Sequence, residues 1–236
     1  IGRAANGDVC RAIGLLEAVL VSAPADVSPI TTDSVETFAD AIGLAYDKNG
    51  DQHYDTVSAM IKSIRASHPD AAVYYLARMI DAGEDPMFLA RRLVISASED
   101  IGNANPTALL MATSGMQSVH MVGMPEARII LSQIVTYLAA SPKSNRAYLA
   151  INEALSDVKK WGNLDISVDL RNPSSDLMKS IGYGKNYKYP HDDLEGAKKM
   201  TYLPAELKGR RYYNPSDMGV ERQLKQTLEK LRPTRD

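Results

Sequence analysis

The sequence is poor in cysteine, phenylalanine and tryptophan. Its 236 residues include one cysteine, Cys10, which excludes an internal disulfide framework and is compatible with a reducing compartment. Two Phe and one Trp stand against ten Met and twelve Tyr, so the core has to be built from aliphatic side chains, Met and Tyr. No apolar run is long enough to cross a bilayer, and we therefore expect a soluble protein without membrane contact.

The patterns of nucleotide hydrolysis and metal binding are also absent from the sequence. There is no G-x-x-x-x-G-K-[ST] phosphate loop and no G-x-G-x-x-G after a strand. The four His are scattered, and none stands at metal-ligand spacing from another or from Cys10. The pair Glu99-Asp100 could serve acid–base chemistry, but we interpret it as capping backbone N–H groups or pairing with Arg91 or Arg92. The residues therefore predict a non-catalytic chain without a metal or cofactor of its own.

Charge is unevenly distributed along the chain, although the net charge is only −2. Residues 1–169 contain 13 Lys and Arg against 20 Asp and Glu, whereas residues 170–236 contain 14 against 9. A basic tail on an acidic body favours contact with phosphate or with an acidic protein. The alternative is a contact within the chain, in which the basic tail lies across the chain's own acidic body. The sequence leaves both interpretations open.

Helical periodicity dominates the sequence, and no alternating run of useful length is present. Three helix starts are marked by proline, at Asp85-Pro86, Asn105-Pro106 and Pro125-Glu126, where the first two offer an N-cap side chain followed by proline. Short turns between the helices indicate antiparallel neighbours. The predicted fold class is all-α, with helices at about 8–20, 31–43, 54–66, 69–83, 85–95, from 105, from 125, 143–161 and 215–231.

The polar turn at residues 47–51 divides this pattern, and we place a domain boundary there. The first domain is predicted at residues 1–52 and the second at residues 53–236. After Gly162 five prolines break the chain into short pieces, and six of the twelve Tyr lie between Tyr183 and Tyr213. Because exposing so many aromatic rings would be unfavourable, we expect this irregular Tyr- and Pro-rich basic tail to pack on a folded surface.

Short motifs along nearly the whole chain resemble one family of ATPases. The most informative is the segment 183–191, which is too aromatic for a disordered tail and too rich in Gly and Pro for a regular helix. The chain resembles the C-terminal half of the RarA/MgsA family, bacterial replication-associated recombination ATPases related to the eukaryotic Werner-helicase-interacting protein. The other matching motifs include Asn6-Gly7-Asp8, Tyr46-Asp47-Lys48, Ile61-Lys62-Ser63-Ile64-Arg65, Pro69-Asp70-Ala71-Ala72, Tyr75-Leu76-Ala77-Arg78-Met79, Ala82-Gly83-Glu84-Asp85-Pro86, Ser98-Glu99-Asp100-Ile101-Gly102 and Leu207-Lys208-Gly209-Arg210-Arg211.

The resemblance implies a longer parent protein, an AAA+ ATPase that uses ATP and Mg²⁺ in a core preceding Ile1. Residues 1–52 would be part of its helical lid, and residues 53–236 a helical domain that assembles a homotetramer. The implied partners are DNA, single-stranded or forked, and single-strand-binding protein. The implied location is cytoplasmic and nucleoid-associated in a bacterium. Two alternatives stay open: a stand-alone helical adaptor for protein partners without ATPase activity, and a small-molecule enzyme with an unrecognised site.

Individual site residues also follow from the resemblance. Arg11 is a candidate nucleotide sensor, although the family pattern has two consecutive Arg and the first falls on Cys10, which makes a helix-surface role equally compatible. Asp169 stands where the family more often has His, which reverses the local charge preference. The remaining candidates are predicted to bind DNA, with tyrosines stacking on bases unless they are buried packing elements: Tyr183, Lys185, Tyr187, Lys188, Arg210 and Arg211.

The apolar residues of two predicted helices nearly encircle them. A helix that is apolar all round has to be buried centrally or against another chain. Met and Tyr are moreover favoured in interface cores. The residues thus favour either an oligomer or a thick monomeric core, and the resemblance alone supplies the number four. The residues concerned are Val73, Tyr74, Tyr75, Leu76, Met79 and Ile80 in the first helix, and Leu109, Leu110, Met111, Met116, Val119, Met121 and Val122 in the second.

Overall fold

The computed structural model describes residues 51–232 and, before them, residues 13, 14, 16, 17, 20, 21 and 31. Arg11 and most of the predicted first domain lie outside the described residues. Residues 51–232 are helical without any strand, so the all-α prediction is confirmed for the part that the structure describes. Its α-helices are α1 (Asp51–Arg65), α2 (Pro69–Asp81), α3 (Pro86–Ser96), α4 (Thr107–Val122), α5 (Ala127–Ala140), α6 (Arg146–Trp161), α7 (Asp176–Ile181), α8 (Leu194–Lys198) and α9 (Glu221–Leu231).

The core lies among α1 to α5, with α5 at the centre. Helix α5 contacts each of α1, α2, α3 and α4. Its buried Leu131, Ile134, Val135 and Leu138 explain why, since apolar residues at this spacing cover two adjoining faces of one helix. Gly115 brings α4 close to α5, because a Cβ at that position would collide with the side chain of Ile134. The core is aliphatic, as the scarcity of Phe and Trp predicts.

The predicted N-cap hydrogen bonds are present at one of the helix starts marked by proline and absent at another. At α3 the Asp85 carboxylate accepts hydrogen bonds from the backbone N–H of Met87 and Phe88, at 2.9 and 3.0 Å, as predicted. The predicted cap by Asn105 is wrong. Its amide nitrogen instead donates to the Tyr137 hydroxyl on α5 and to the Oγ of Ser141 directly after that helix, at 3.0 and 3.1 Å. The side chain therefore bridges two elements rather than ending one.

Two predicted helix starts lie too early in the sequence. The helix predicted from residue 143 begins at Arg146, because Lys143 has another role. Its Nζ donates to the carbonyl oxygens of Leu138, Ala139 and Ser141, which closes the C-terminal end of α5. The last helix, predicted from residue 215, begins at Glu221.

Within the described residues the pair Glu99-Asp100 neither caps a backbone N–H group nor forms an ion pair with Arg91 or Arg92, so both predicted roles are wrong. Asp100 lies in a π-helical turn, Ala97–Ile101, directly after α3. There it is buried and accepts hydrogen bonds from Arg65 Nε at 2.5 Å and from Ser96 Oγ at 3.0 Å. Glu99 pairs more loosely with the same Arg65, at 3.4 Å. The wider π turn directs the carboxylate back to the end of α1, so these acids join two helices of the core.

Helix α6 presents apolar side chains to solvent along one side. Five of them lie at helical spacing, and each is between 44% and 57% exposed. Within the described residues α6 packs through its other side, against the segment that follows α3. A second exposed apolar surface lies on α4, where Leu110 and Met121 are 69% and 75% exposed. Of the two helices predicted to be apolar all round, α4 is thus only partly covered by its own chain, and on α2 the Tyr74 side chain is 60% exposed. The α6 stripe consists of Tyr148, Ile151, Leu155, Val158 and Trp161.

Candidate functional site

Arg171 joins two segments of the Tyr- and Pro-rich tail through hydrogen bonds. Its guanidinium donates to the carbonyl oxygen of Ile166 at 2.8 Å, to the Tyr183 hydroxyl at 3.1 Å and to the Asp165 carboxylate at 3.2 Å. The same guanidinium lies over the Tyr183 ring, 5.4 Å from its centroid. The hydrogen bond with Tyr183 raises the pKa of Arg171, which therefore stays charged. Arg171 fixes the Tyr183 ring against the loop at residues 165–173.

A cavity of about 570 Å³ opens beside this loop. We call it the tyrosine pocket. Tyr183, Tyr187 and Tyr202 contribute aromatic rings to its lining. Asp169, Asn172 and Lys185 contribute polar groups, and Leu170, Pro173 and Gly184 complete it. The combination of aromatic walls with a few polar groups is typical of small-ligand and base-binding pockets.

The backbone conformation at Gly184 brings the later segment of the pocket lining, around Tyr183 to Lys185, against the earlier segment, around Asp169 to Pro173. Gly184 has a φ of +69°, in the left-handed region that glycine adopts without strain. Its N–H donates to the carbonyl oxygen of Val168 at 3.0 Å. A Cβ at Gly184 would lie only 3.2 Å from the carbonyl oxygen of Arg171. This close approach requires glycine, and it brings Tyr183 and Lys185 beside Asp169.

The structure separates the six predicted DNA-binding residues into two groups. Tyr183, Lys185 and Tyr187 line the tyrosine pocket. Lys188 follows them and is exposed, while its backbone N–H contacts the Met200 sulfur at 3.1 Å. Arg210 and Arg211 do not line the pocket. The sequence identified three lining residues as candidates and Asp169 as a departure from the family. Asn172 was not a candidate, and Tyr202 stood out only as one of the six tyrosines of the tail.

Arg210 is held by α6. Its Nε and Nη2 donate to the two oxygens of Asp157 at 2.7 and 2.9 Å, and the Tyr212 hydroxyl donates to the same carboxylate at 3.0 Å. The hydrogen bond from Arg210 holds the pKa of the buried Asp157 below its usual range. For Arg210 the internal interpretation of the basic tail is therefore confirmed. Arg211 is half-buried next to this pair.

A buried carboxylate, Glu221, anchors the end of the tail. It accepts hydrogen bonds from Ser144 Oγ at 2.6 Å, from the N–H and Oγ of Ser216 at 2.8 and 2.6 Å, and from the Tyr213 hydroxyl at 2.9 Å. Burial opposes its negative charge, but the hydrogen bonds outweigh burial and lower the pKa of Glu221. Asn103 donates to the Tyr213 hydroxyl at 3.0 Å and extends the network to the body. We call these residues the Glu221 network.

A second cavity, of about 540 Å³, lies between α2 and α5. Val73, Leu76 and Ile80 form part of an apolar lining, and Arg78 and Arg128 also line it. Both arginines are exposed, and neither has a side-chain hydrogen bond or ion pair to another residue in the described part of the chain. An apolar groove with basic edges suits contact with another protein.

Neither cavity is a metal site. Among the residues that the structure describes, no group of three or more His, Cys, Asp or Glu is placed to hold a metal ion. None of the described helices combines the length and apolarity needed to cross a membrane.

Comparison with known proteins divides the chain into two matched regions. Residues 66–232 match the family described as MgsA AAA+ ATPase C terminal, and residues 1–65 match the AAA C-terminal domain. The predicted boundary after residue 52 stays a prediction. Among similar proteins, the replication-associated recombination protein A of Coxiella burnetii is 42% identical over 97% of this chain and 52% of its own length. The protein of the same name from Escherichia coli strain K12 is 39% identical, over 97% and 52%.

A eukaryotic relative matches the same region less completely. The ATPase WRNIP1 of Dictyostelium discoideum is 35% identical over 78% of this chain and 21% of its own length. The chain spans about half the length of the bacterial relatives that it matches.

Proposed function

The chain belongs to the family of MgsA AAA+ ATPases, whose C-terminal region it matches over residues 66–232, and from this membership we propose that it is the non-catalytic assembly part of a DNA-dependent AAA+ ATPase. The parent would act in replication-fork maintenance and recombination, as the names of the bacterial relatives suggest. It would use ATP and Mg²⁺ in a region outside this chain. We propose a bacterial, cytoplasmic and nucleoid-associated setting for this parent.

The observation that carries the assembly role is the α6 stripe. Five large apolar side chains on one helix face water, which is unfavourable unless another surface covers them. A second copy of this chain would cover the stripe, and the exposed Leu110 and Met121 on α4 offer a second contact. A tetramer with D₂ symmetry needs two different self-complementary contacts, so two apolar surfaces match its requirements. We propose the homotetramer on this basis.

We further propose DNA, single-stranded or forked, and single-strand-binding protein as partners of the parent. The tyrosine pocket with Lys185 and Lys188 beside it supports the DNA contact, because stacking rings next to cations suit single-stranded nucleic acid. Arg11 as a nucleotide sensor also stays a proposal. The alternative function of a stand-alone adaptor is favoured by the groove between α2 and α5, and reading the codons before Ile1 for a Walker motif distinguishes the two.

We expect the chain by itself to release no phosphate from ATP in the presence of Mg²⁺. Phosphoryl transfer requires a phosphate-binding loop and a carboxylate that holds magnesium. The sequence has no such loop, and residues 51–232 include no strand to carry that carboxylate. Phosphate release is measured against buffer, with the complete parent protein as the active control. Turnover by the chain that disappears when one of its own residues is substituted would contradict the proposal.

Lys185 and Lys188 are expected to contribute to DNA affinity through phosphate contacts. Replacing both with Ala should weaken binding of single-stranded DNA and make the plot of log affinity against log salt less steep by roughly 1.4, or about 0.7 for each phosphate. The matched control combines Lys62→Ala with Lys230→Ala, which removes the same two charges from exposed positions on α1 and α9. Binding titrations over a range of salt test this. An unchanged slope in the Lys185 and Lys188 variant would show that these two lysines do not contact DNA phosphates.

A further inference from the structure

We propose that the tyrosine pocket binds one unpaired base of single-stranded DNA and prefers guanine, with Asp169 reading the base. The inference rests on the proposed DNA contact and adds a base preference to it. It depends on what the pocket brings together: three aromatic rings, one carboxylate and one ammonium group.

The rings supply a stacking surface for a base. Tyr183 is fixed by its hydrogen bond and ring contact with Arg171. Tyr187 and Tyr202 remain 44% and 46% exposed, so part of each ring is accessible from outside. Stacking on aromatic side chains accepts any base, because every base has a π face. The tyrosines therefore explain affinity for a base without explaining which base is chosen.

The polar groups of the pocket determine which base it prefers. The side chains of Asp169, Asn172 and Lys185 make no hydrogen bond or ion pair with another residue in the described ranges, so all three are available to a ligand. A carboxylate only accepts hydrogen bonds and can accept two in parallel, whereas an ammonium group only donates. The ligand that suits both has two adjacent donors and an acceptor beside them.

Guanine has this pattern on its Watson–Crick edge. N1–H and the N2 amino group are adjacent donors that match the two oxygens of Asp169. O6 beside them is an acceptor for one N–H of the Lys185 ammonium group, whose other two donors are left for a phosphate. Thymine offers one donor between two carbonyl oxygens, so the second carboxylate oxygen would face another oxygen and repel it. Adenine and cytosine each offer a single amino group. Unpaired bases are read on this edge in single-stranded nucleic acids.

Lys185 also argues against a cationic occupant. Tyrosines around a carboxylate can hold an ammonium or guanidinium group, but an ammonium group in the same lining would repel it. The hydrogen bond from the Gly184 N–H to the carbonyl oxygen of Val168 joins the two sides of the pocket. Its volume of about 570 Å³ lies within the range of ligand-binding pockets.

The test compares two labelled oligonucleotides of about 12 nucleotides, within the site sizes of single-strand-binding folds. One is all thymidine and the other carries one dG at its centre. Fluorescence anisotropy at one fixed salt concentration measures the affinity of the 236-residue chain for each. We expect the dG oligonucleotide to bind about tenfold more tightly, as a bidentate contact to a base provides.

Two variants assign the preference to the pocket. Asp169→Asn should remove the preference for dG, since the amide places a donating NH2 group where the second accepting carboxylate oxygen stood, and leave the affinity for oligothymidine within about twofold of the unmodified chain. Asp192→Asn removes the same charge from an exposed position outside the pocket and should keep the preference. Equal binding of both oligonucleotides by the unmodified chain, or a preference that survives in Asp169→Asn, overturns the inference and leaves the DNA contact standing. Binding of neither oligonucleotide overturns both.

Discussion

Leu155→Glu is expected to reduce the assembled mass of the protein from about four chains of 25.8 kDa to two chains or fewer. Leu155 lies at the middle of the α6 stripe and is 49% exposed in the single chain. If a second copy covers the stripe, a glutamate at this position would be buried without a partner. Burying an unpaired carboxylate costs several kcal/mol, which is a large part of the free energy that holds two chains together.

A matched control is available one residue away. Ser156→Glu adds the same charge at an exposed position of α6 that lies beside the apolar stripe rather than on it, so it should leave the mass unchanged. Light scattering coupled to size exclusion at micromolar protein measures both variants. A mass of two chains for Leu155→Glu indicates that the second contact, on α4, survives. If Leu155→Glu keeps the full mass, or the unmodified chain elutes at 25.8 kDa at every concentration, the α6 stripe is not the assembly surface.

Glu221→Gln is expected to detach the C-terminal helix α9 from the body. One amide oxygen cannot replace the two carboxylate oxygens, which together accept four hydrogen bonds from Ser144, Tyr213 and Ser216. Hydrogen bonds to a charged group contribute about 1.5–3 kcal/mol each, and a donor left buried without a partner adds to the cost. We expect a loss of about 3 kcal/mol in the free energy of opening this region, or roughly a hundredfold more frequent opening.

Hydrogen exchange of the α9 backbone amides measures this opening. The core of α1 to α5 does not include the Glu221 network, so its amides should keep their protection and serve as an internal reference. Glu229→Gln, at an exposed position of the same helix, is the control and should exchange as the unmodified chain does. Unchanged protection of α9 in Glu221→Gln would show that the network does not hold the tail.

The same network predicts a pH dependence. Because the hydrogen bonds lower the pKa of Glu221 in the folded chain, its stabilisation is present above the ordinary value of 4.5 and is lost as the pH falls from there toward the folded value. Glutamine does not titrate. The difference in α9 protection between the unmodified chain and Glu221→Gln should therefore narrow as the pH is lowered from 7 to about 3.

Local signals in the sequence predicted the fold class and most of the helices. The Asp85-Pro86 start was correct because capping joins groups two and three residues apart, which the sequence shows directly. Asn105-Pro106 has the same appearance, yet Asn105 bonds with α5, more than thirty residues away. An Asn side chain can bond either with the backbone of its own helix start or with a distant residue. Which partner it takes depends on the residues that the tertiary structure brings near, and the neighbouring sequence does not contain that information.

For the candidate site, the sequence determined which types of side chain are present in the tail. The structure decided which of these side chains line the same pocket. Aromatic and basic residues in one tail indicated nucleic-acid contact, and three of the six candidates do line one pocket. Arg210 pairs instead with Asp157, 53 positions earlier, because a buried carboxylate is stable only when a charged partner or several hydrogen-bond donors compensate its lost hydration. The sequence by itself determined an all-α chain with an aliphatic core and its family, since periodicity and motif order are properties of the chain. The tertiary structure alone decided that Asp169, Lys185 and Tyr202 meet and that the α6 stripe faces outward, because contacts between distant residues depend on how the helices pack.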